Sequence, residues 1–153
     1  MIEKNRLMEL DALLEDERDP IVIMANAAAW LFYALDDINW LGFYRYKDGE
    51  LVLGPFQGKV ACTRIAVGRG VCGAAFSANA VLRVDNVEEF PGHIACDADS
   101  RSEIVLPLVG KSGTPLGVLD IDSASYGRFS AEDEAALTLL AARIAKALDE
   151  VNA

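Results

Sequence analysis

The stretch NWLGFYRYKDGELVLGPF, residues 39–56, decides the fold class. Its first half carries Trp40, Leu41, Phe43, Tyr44 and Tyr46, the aromatic-rich content of a β-strand. Asp48-Gly49 supplies two residues at ease in the left-handed conformation that a tight hairpin turn demands. Leu51 to Phe56 returns as the second strand. An antiparallel sheet starts here.

On the N-terminal side the period turns helical. Asn5 to Glu15 places Leu7, Leu10 and Leu14 at helical spacing with acids on the other face. Asp19-Pro20 reads as a helix cap followed by proline at the first helical position, opening a helix that runs to about Leu35. Ile21 to Leu35 is nearly all apolar, yet shorter than the roughly 20 residues of a membrane span. It also contains Asn26 and is flanked by acids, so it reads as a buried helix.

On the C-terminal side, Arg64 to Val67 and Val81 to Val84 read as short strands. Between them lie a glycine-rich turn, Gly68 to Gly73, and a short helix near Ala74 to Ala78. Phe90 to Ser102 reads as a long irregular loop. Ile104 to Val109 and Leu116 to Ile121 form a second hairpin around Gly110 to Thr114. A last helix starts at the Ser130 cap, with Leu137, Leu140, Ile144 and Leu148 as its apolar stripe. About six short, largely antiparallel strands with helices before and after imply an α/β (α+β) sandwich. No repeat or linker interrupts residues 1–153, which are read as a single domain.

With 52% hydrophobic and 25% charged residues, the composition is globular rather than disordered. A net charge of -10 without a basic stripe argues against nucleic acid as a partner. Met1 to Asp11 lacks a signal-peptide core, so the expectation is a cytoplasmic protein with no membrane attachment. Its three cysteines, Cys62, Cys72 and Cys96, are an odd set, which argues for free thiols rather than a disulfide framework.

The long loop holds the densest chemistry, PGHIACDADS at 91–100, with Cys96 in its middle. Long unstructured loops in compact domains are usually functional, but a loop thiol is also compatible with a partly buried group that has no task. Asp97 and Asp99 raise rather than lower a nearby thiol pKa. The second cluster is Glu103, Asp120 and Asp122. The two aspartates are two apart on a strand and share a face. A hairpin closed around Gly110 to Thr114 puts Glu103 opposite Asp122. Crowded acids hold one of their number protonated near neutral pH, ready to act as a general acid; the alternative puts both aspartates beyond the strand end, in water. Trp40 and Tyr44 share a sheet face, as core residues or as a ligand wall. A zinc site from Cys62, Cys72, Cys96 and His93 lacks the short C-x₂₋₄-C pairs of structural zinc centres. His93 by itself suits either a base or a loop histidine bonded to backbone.

Seven runs appear in order: NWLGFY at 39–44, LVLGPFQGK at 51–59, AC at 61–62, GRGVCG at 68–73, FPGHIACD at 90–97, SEIVLPL at 102–108 and GVLDIDS at 117–123. Together they resemble the free methionine-(R)-sulfoxide reductases, a family built on the GAF domain, over about Asn39 to Asp133. The resemblance implies a six-stranded antiparallel sheet between helices. It implies Cys96 as nucleophile, Cys62 as principal resolving thiol and Cys72 as an accessory one. It further implies Glu103 and Asp122 as acids near the sulfoxide oxygen, Asp120 as another acid of the pocket, and Trp40 and Tyr44 as the wall around the methylthio end. The implied cycle forms a sulfenic acid on Cys96 and a disulfide with Cys62, is recycled by thioredoxin, and requires no metal or organic cofactor. The substrate's ammonium would meet the remaining acids, and its carboxylate the N–H groups of the glycine-rich turn. Arg101 departs from the family pattern, standing where a small polar residue is expected. A homodimer stays open. The alternative is a non-catalytic GAF sensor module, which has no use for the thiol set.

Overall fold

The computed structural model describes residues 4–93 and 98–152. Two helices, α1 (Lys4–Leu14) and α2 (Pro20–Ala34), lead into strands β1 (Trp40–Lys47) and β2 (Glu50–Gln57). There follow β3 (Arg64–Ala66), helix α3 (Gly70–Ala78) and β4 (Leu82–Val84), then the hairpin of β5 (Ser102–Val109) and β6 (Pro115–Ser123) and a closing helix α4 (Ala131–Asn152). The strands form one six-stranded sheet in the order β3-β2-β1-β6-β5-β4, each neighbouring pair antiparallel. The fold class expected from the sequence is therefore the one observed.

Local chemistry accounts for most boundaries. Asp48 and Gly49 have φ of 52° and 84°, the pair of positive values that lets a two-residue turn follow the strands' twist. Asp19 accepts a hydrogen bond from Ile21 N at 2.8 Å and caps α2 ahead of Pro20. At α4, Asp133 N donates to Ser130 Oγ and Ser130 N donates back to Asp133 Oδ2, both at 3.0 Å. Such a reciprocal cap is worth about 1 kcal/mol.

The sheet's two faces do different work. Leu41, Phe43, Ile104, Leu106, Leu108, Leu119 and Ile121 point to one side and pack with buried residues of α1, α2 and α4. A fully buried aliphatic side chain stabilises by roughly 1.5–3 kcal/mol, so this face supplies most of the driving force. The other face, under α3, carries Trp40, Tyr44, Val105 and Val118 together with Cys72. It is also where charged groups are tolerated.

Three boundaries differ from the sequence reading. Helix α3 begins at Gly70, not near Ala74. The glycines weaken helix propensity, but a Cβ on Gly73 would lie 2.6 Å from the Ala66 carbonyl oxygen, so close packing on β3 overrides propensity. Ahead of the expected irregular loop, a 3-10 turn that the sequence reading did not include, Val87–Glu89, is capped by Asn86. Strand β5 starts at Ser102, two residues before the expected Ile104, and so includes Glu103. Among the described residues no helix is long and apolar enough to cross a membrane.

Candidate active site

Strand register assembles the site in rows. Glu103 on β5 faces Asp122 on β6, and Asp122 faces Trp40 on β1. In the next row Val105 faces Asp120, and Asp120 faces Gly42. Tyr44 follows, opposite Val118. Residues directly opposite in an antiparallel sheet share a face, so three carboxylates and two aromatic rings come to one surface. The acids do not lie beyond the strand end: Glu103, Asp120 and Asp122 are 7%, 5% and 8% exposed.

Aromatic packing fixes the neighbouring wall. Trp40 stacks on Phe56 with centroids 5.3 Å apart and on Tyr44 at 6.0 Å. Its Nε1 donates to the Lys59 carbonyl at 3.0 Å, and the Tyr44 hydroxyl donates to the Cys62 carbonyl at 2.9 Å. Gly42 lies between the two rings along β1, where a Cβ would come 2.8 Å from Trp40 Cη2. Phe56 is a wall residue that the sequence reading did not single out.

Helix α3 closes the other side. Its N-cap, Arg69, makes no side-chain cap, and the first hydrogen bond of the turn runs from Gly73 N to the Arg69 carbonyl. The preceding N–H groups of Gly70, Val71 and Cys72 are those a helix leaves without intrahelical partners. All three residues line a cavity of about 30 Å³ together with Tyr44, Arg69, His93, Ser100, Glu103, Asp120 and Asp122. Arg69 is the one permanently charged cation among its described lining residues, and sequence reasoning passed over it.

The thiols are not equivalent. Cys72 is a free, buried thiol whose Sγ donates to Glu103 Oε2 across 4.0 Å. Cys62 is half-buried and disulfide-bonded. Cys96 lies outside the described residues, so the role expected for it has no geometry here. Lys59 and Asp99, which flank the cysteine-bearing segments, form an exposed ion pair at 2.6 Å.

Burial dominates the electrostatics. It pushes the Glu103 and Asp120 carboxyls well up; the Asp120 charge raises Glu103 further and the Asp122 charge raises Asp120, while hydrogen bonding of Asp122 to Glu103, and of Glu103 and Cys72 to Asp120, pulls the other way. Burial and the same acids raise the Cys72 thiol, which stays protonated at neutral pH. Burial also raises the Tyr44 phenol, leaving it a hydrogen-bond donor. His93 is shifted down by burial and is neutral near pH 7. Asp120 Oδ1 is buried without a hydrogen-bond partner among the described residues. Arg101, the departure from the family pattern, lies over the Tyr126 ring at 5.2 Å and does not line the cavity. The site thus offers protonated acids, an apolar wall and helix N–H groups around one small volume.

Known proteins share this arrangement's sequence and fold. The pattern that defines the GAF domain matches residues 21–149. The free methionine-R-sulfoxide reductase of Escherichia coli (strain K12) is 55% identical over 140 residues, covering 92% of this chain and 84% of that protein. The free methionine-R-sulfoxide reductase of Saccharomyces cerevisiae is 42% identical over 147 residues, covering 92% of this chain and 82% of that protein. The X-ray structure of free methionine-R-sulfoxide reductase from Neisseria meningitidis in complex with its substrate superposes with a TM-score of 0.91 at 42% identity, covering 95% of this chain and 87% of that one.

Proposed function

Because the chain belongs to the GAF-domain free methionine-R-sulfoxide reductases, we propose that it reduces free L-methionine-(R)-sulfoxide by a thiol cycle run over the buried acids. The observation that carries this reading is the buried row of Glu103 and Asp122 beside the Trp40 ring. A sulfoxide sulfur is a poor electrophile until its oxygen is protonated or strongly hydrogen-bonded. Glu103, kept protonated by burial, meets that need at neutral pH.

In the cycle, the Cys96 thiolate attacks the sulfoxide sulfur while Glu103 and Asp122 deliver a proton to its oxygen. The oxygen then passes from the methionine sulfur to the Cys96 sulfur: the original S–O bond and the transient S–S bond break as the new S–O bond forms, methionine leaves as the thioether, and Cys96 is left as a sulfenic acid. Cys62 then attacks the Cys96 sulfur; water departs, and a disulfide forms. A dithiol, proposed to be thioredoxin in the cytoplasm, takes up the oxidising equivalents and restores both thiols. The disulfide-bonded state of Cys62 and the free state of Cys72 support this division of labour. Cys72, buried against Glu103, is better suited to holding that carboxyl than to carrying electrons.

The two ends of a free amino acid also find matches. Asp120, whose Oδ1 has no hydrogen-bond partner among the described residues and whose carboxyl an incoming ammonium would draw into its ionised form, suits the ammonium, and the N-terminus of α3 with Arg69 suits the carboxylate. The test is a stereospecific assay of both sulfoxide epimers, free and peptide-bound, with a thioredoxin system. Reduction of the R epimer of the free amino acid is expected, and preference for the S epimer or for peptide sulfoxide would overturn the reading.

A further inference from the structure

We propose that Cys72, Glu103 and Asp120 form a binding site for one thiophilic divalent cation, zinc above all, and that the ion inhibits the enzyme by occupying the substrate cavity. The cavity claim rests on the substrate placement proposed above; the metal claim rests on the donor set alone. The Cys72 sulfur, a Glu103 oxygen and an Asp120 oxygen all lie within 4.8 Å of one another, and all three residues are buried. Around a four-coordinate zinc, sulfur and oxygen ligands sit roughly 3.3–3.8 Å apart, given metal–ligand distances of about 2.0–2.3 Å. The set closes on an ion with side-chain shifts of about an ångström.

Two further observations point to a ligand. Asp120 lines the cavity, and its buried Oδ1 has no hydrogen-bond partner among the described residues. The Tyr44 hydroxyl is directed instead to the Cys62 carbonyl. The cavity's volume of about 30 Å³ leaves room for an ion among these side chains. His93 lines the same cavity and offers a further nitrogen. This set shares only Cys72 and His93 with the four-residue cluster that sequence spacing argues against. Cys62 is committed to a disulfide and takes no part. With a single thiolate the site is an exchangeable one, unlike a structural zinc centre. Binding displaces the Cys72 proton to solvent and involves no change of oxidation state. Cys72 is free while Cys62 is oxidised, so the donor set is available in the disulfide-bonded state.

The experiment titrates the oxidised protein with cobalt(II) chloride as a spectroscopic probe and with zinc chloride by calorimetry. One equivalent of cobalt is expected to bind with a thiolate-to-metal charge-transfer band in the near ultraviolet. Cys72→Ser should abolish the band, and Asp120→Asn should weaken binding by about tenfold or more. In the wild-type protein, zinc should also protect Cys72 from alkylation, a readout that needs no variant. In single-turnover assays of the reduced enzyme without thioredoxin, zinc should compete with the sulfoxide and be reversed by chelator. Absence of the band, a band unchanged in a cooperatively melting Cys72→Ser protein, or unprotected Cys72 would overturn the metal site whatever happens to activity. A bound metal that the sulfoxide fails to displace would retain the metal site and contradict the substrate placement.

Discussion

The phenolic hydroxyl of Tyr44 holds the backbone carbonyl of Cys62 at 2.9 Å, tying the central strand β1 to the segment that carries the disulfide-bonded cysteine. Tyr44→Phe keeps the ring in the wall and removes only this tether. A net hydrogen bond of about 0.5–1.5 kcal/mol corresponds to a two- to tenfold effect. Methionine release in a single turnover should be nearly unchanged, while steady-state turnover with thioredoxin slows by about that factor. Rapid-quench and steady-state assays on one preparation separate the two, and a loss confined to the first turnover would contradict the tether's role.

The cysteines should separate in the same assays. Cys96→Ser is expected to abolish even stoichiometric methionine release, since it removes the attacking sulfur. Cys62→Ser should release about one methionine per enzyme and then stall, because resolution follows release. Undiminished turnover of the Cys62→Ser protein would transfer the resolving role to Cys72.

Specificity tests the pocket as a whole. An N-acetylated, C-amidated methionine-R-sulfoxide lacks the charges matched by Asp120 and by α3, leaving buried groups unpaired at a cost of about 1–3 kcal/mol each. Its kcat/KM should fall by at least a hundredfold relative to the free amino acid. Comparable values for the two compounds would refute the enclosed zwitterion while leaving the cysteine roles standing.

Asp120 links activity to stability through pH. Its folded-state pKa is raised, chiefly by burial and then by Asp122. A raised acid stabilises the fold fully below its unfolded pKa of about 3.9, and that contribution is lost as pH rises through the folded value. Asp120→Asn removes the penalty, so with chelator present its Tm should exceed the wild type's at pH 8, with the gap narrowing towards pH 5. Activity should fall at every pH. A variant destabilised equally at both pH values would show that Asp120 is held by contacts rather than strained by its charge.

Much of this site is legible in the sequence wherever counting from a turn suffices. Asp48-Gly49 fixes the β1–β2 hairpin, and counting outward from Gly110 to Thr114 puts Glu103 opposite Asp122, as observed. Phe56 escapes such counting. From the Asp48-Gly49 turn it would pair with Leu41 and face the helices, but the register shifts between Gly42 and Tyr44, so Phe56 lies opposite Gly42 and stacks on Trp40. A bulge of this kind leaves no periodic mark. The start of α3 is hidden for another reason: only the approach of Gly73 to the Ala66 carbonyl, a tertiary contact, explains helix through GRGVCG. Arg69 was passed over as one cation beside glycines, and only the folded cavity gives it a neighbourhood of acids.

The pairing of β1 with β6 has a consequence for how the enzyme comes into being. The first strand of the chain and the last are neighbours at the centre of the sheet. Trp40 and Tyr44 therefore wait through the synthesis of about half the chain before Asp120 and Asp122 arrive beside them. A nascent chain that ends before Pro115 has its cysteines, its aromatic rings and Glu103, but neither Asp120 nor Asp122 to complete the acid row. Closing so long a loop is entropically costly and slow relative to local hairpins, so reactivity is the last property the chain acquires, arriving only with the strand that completes its core.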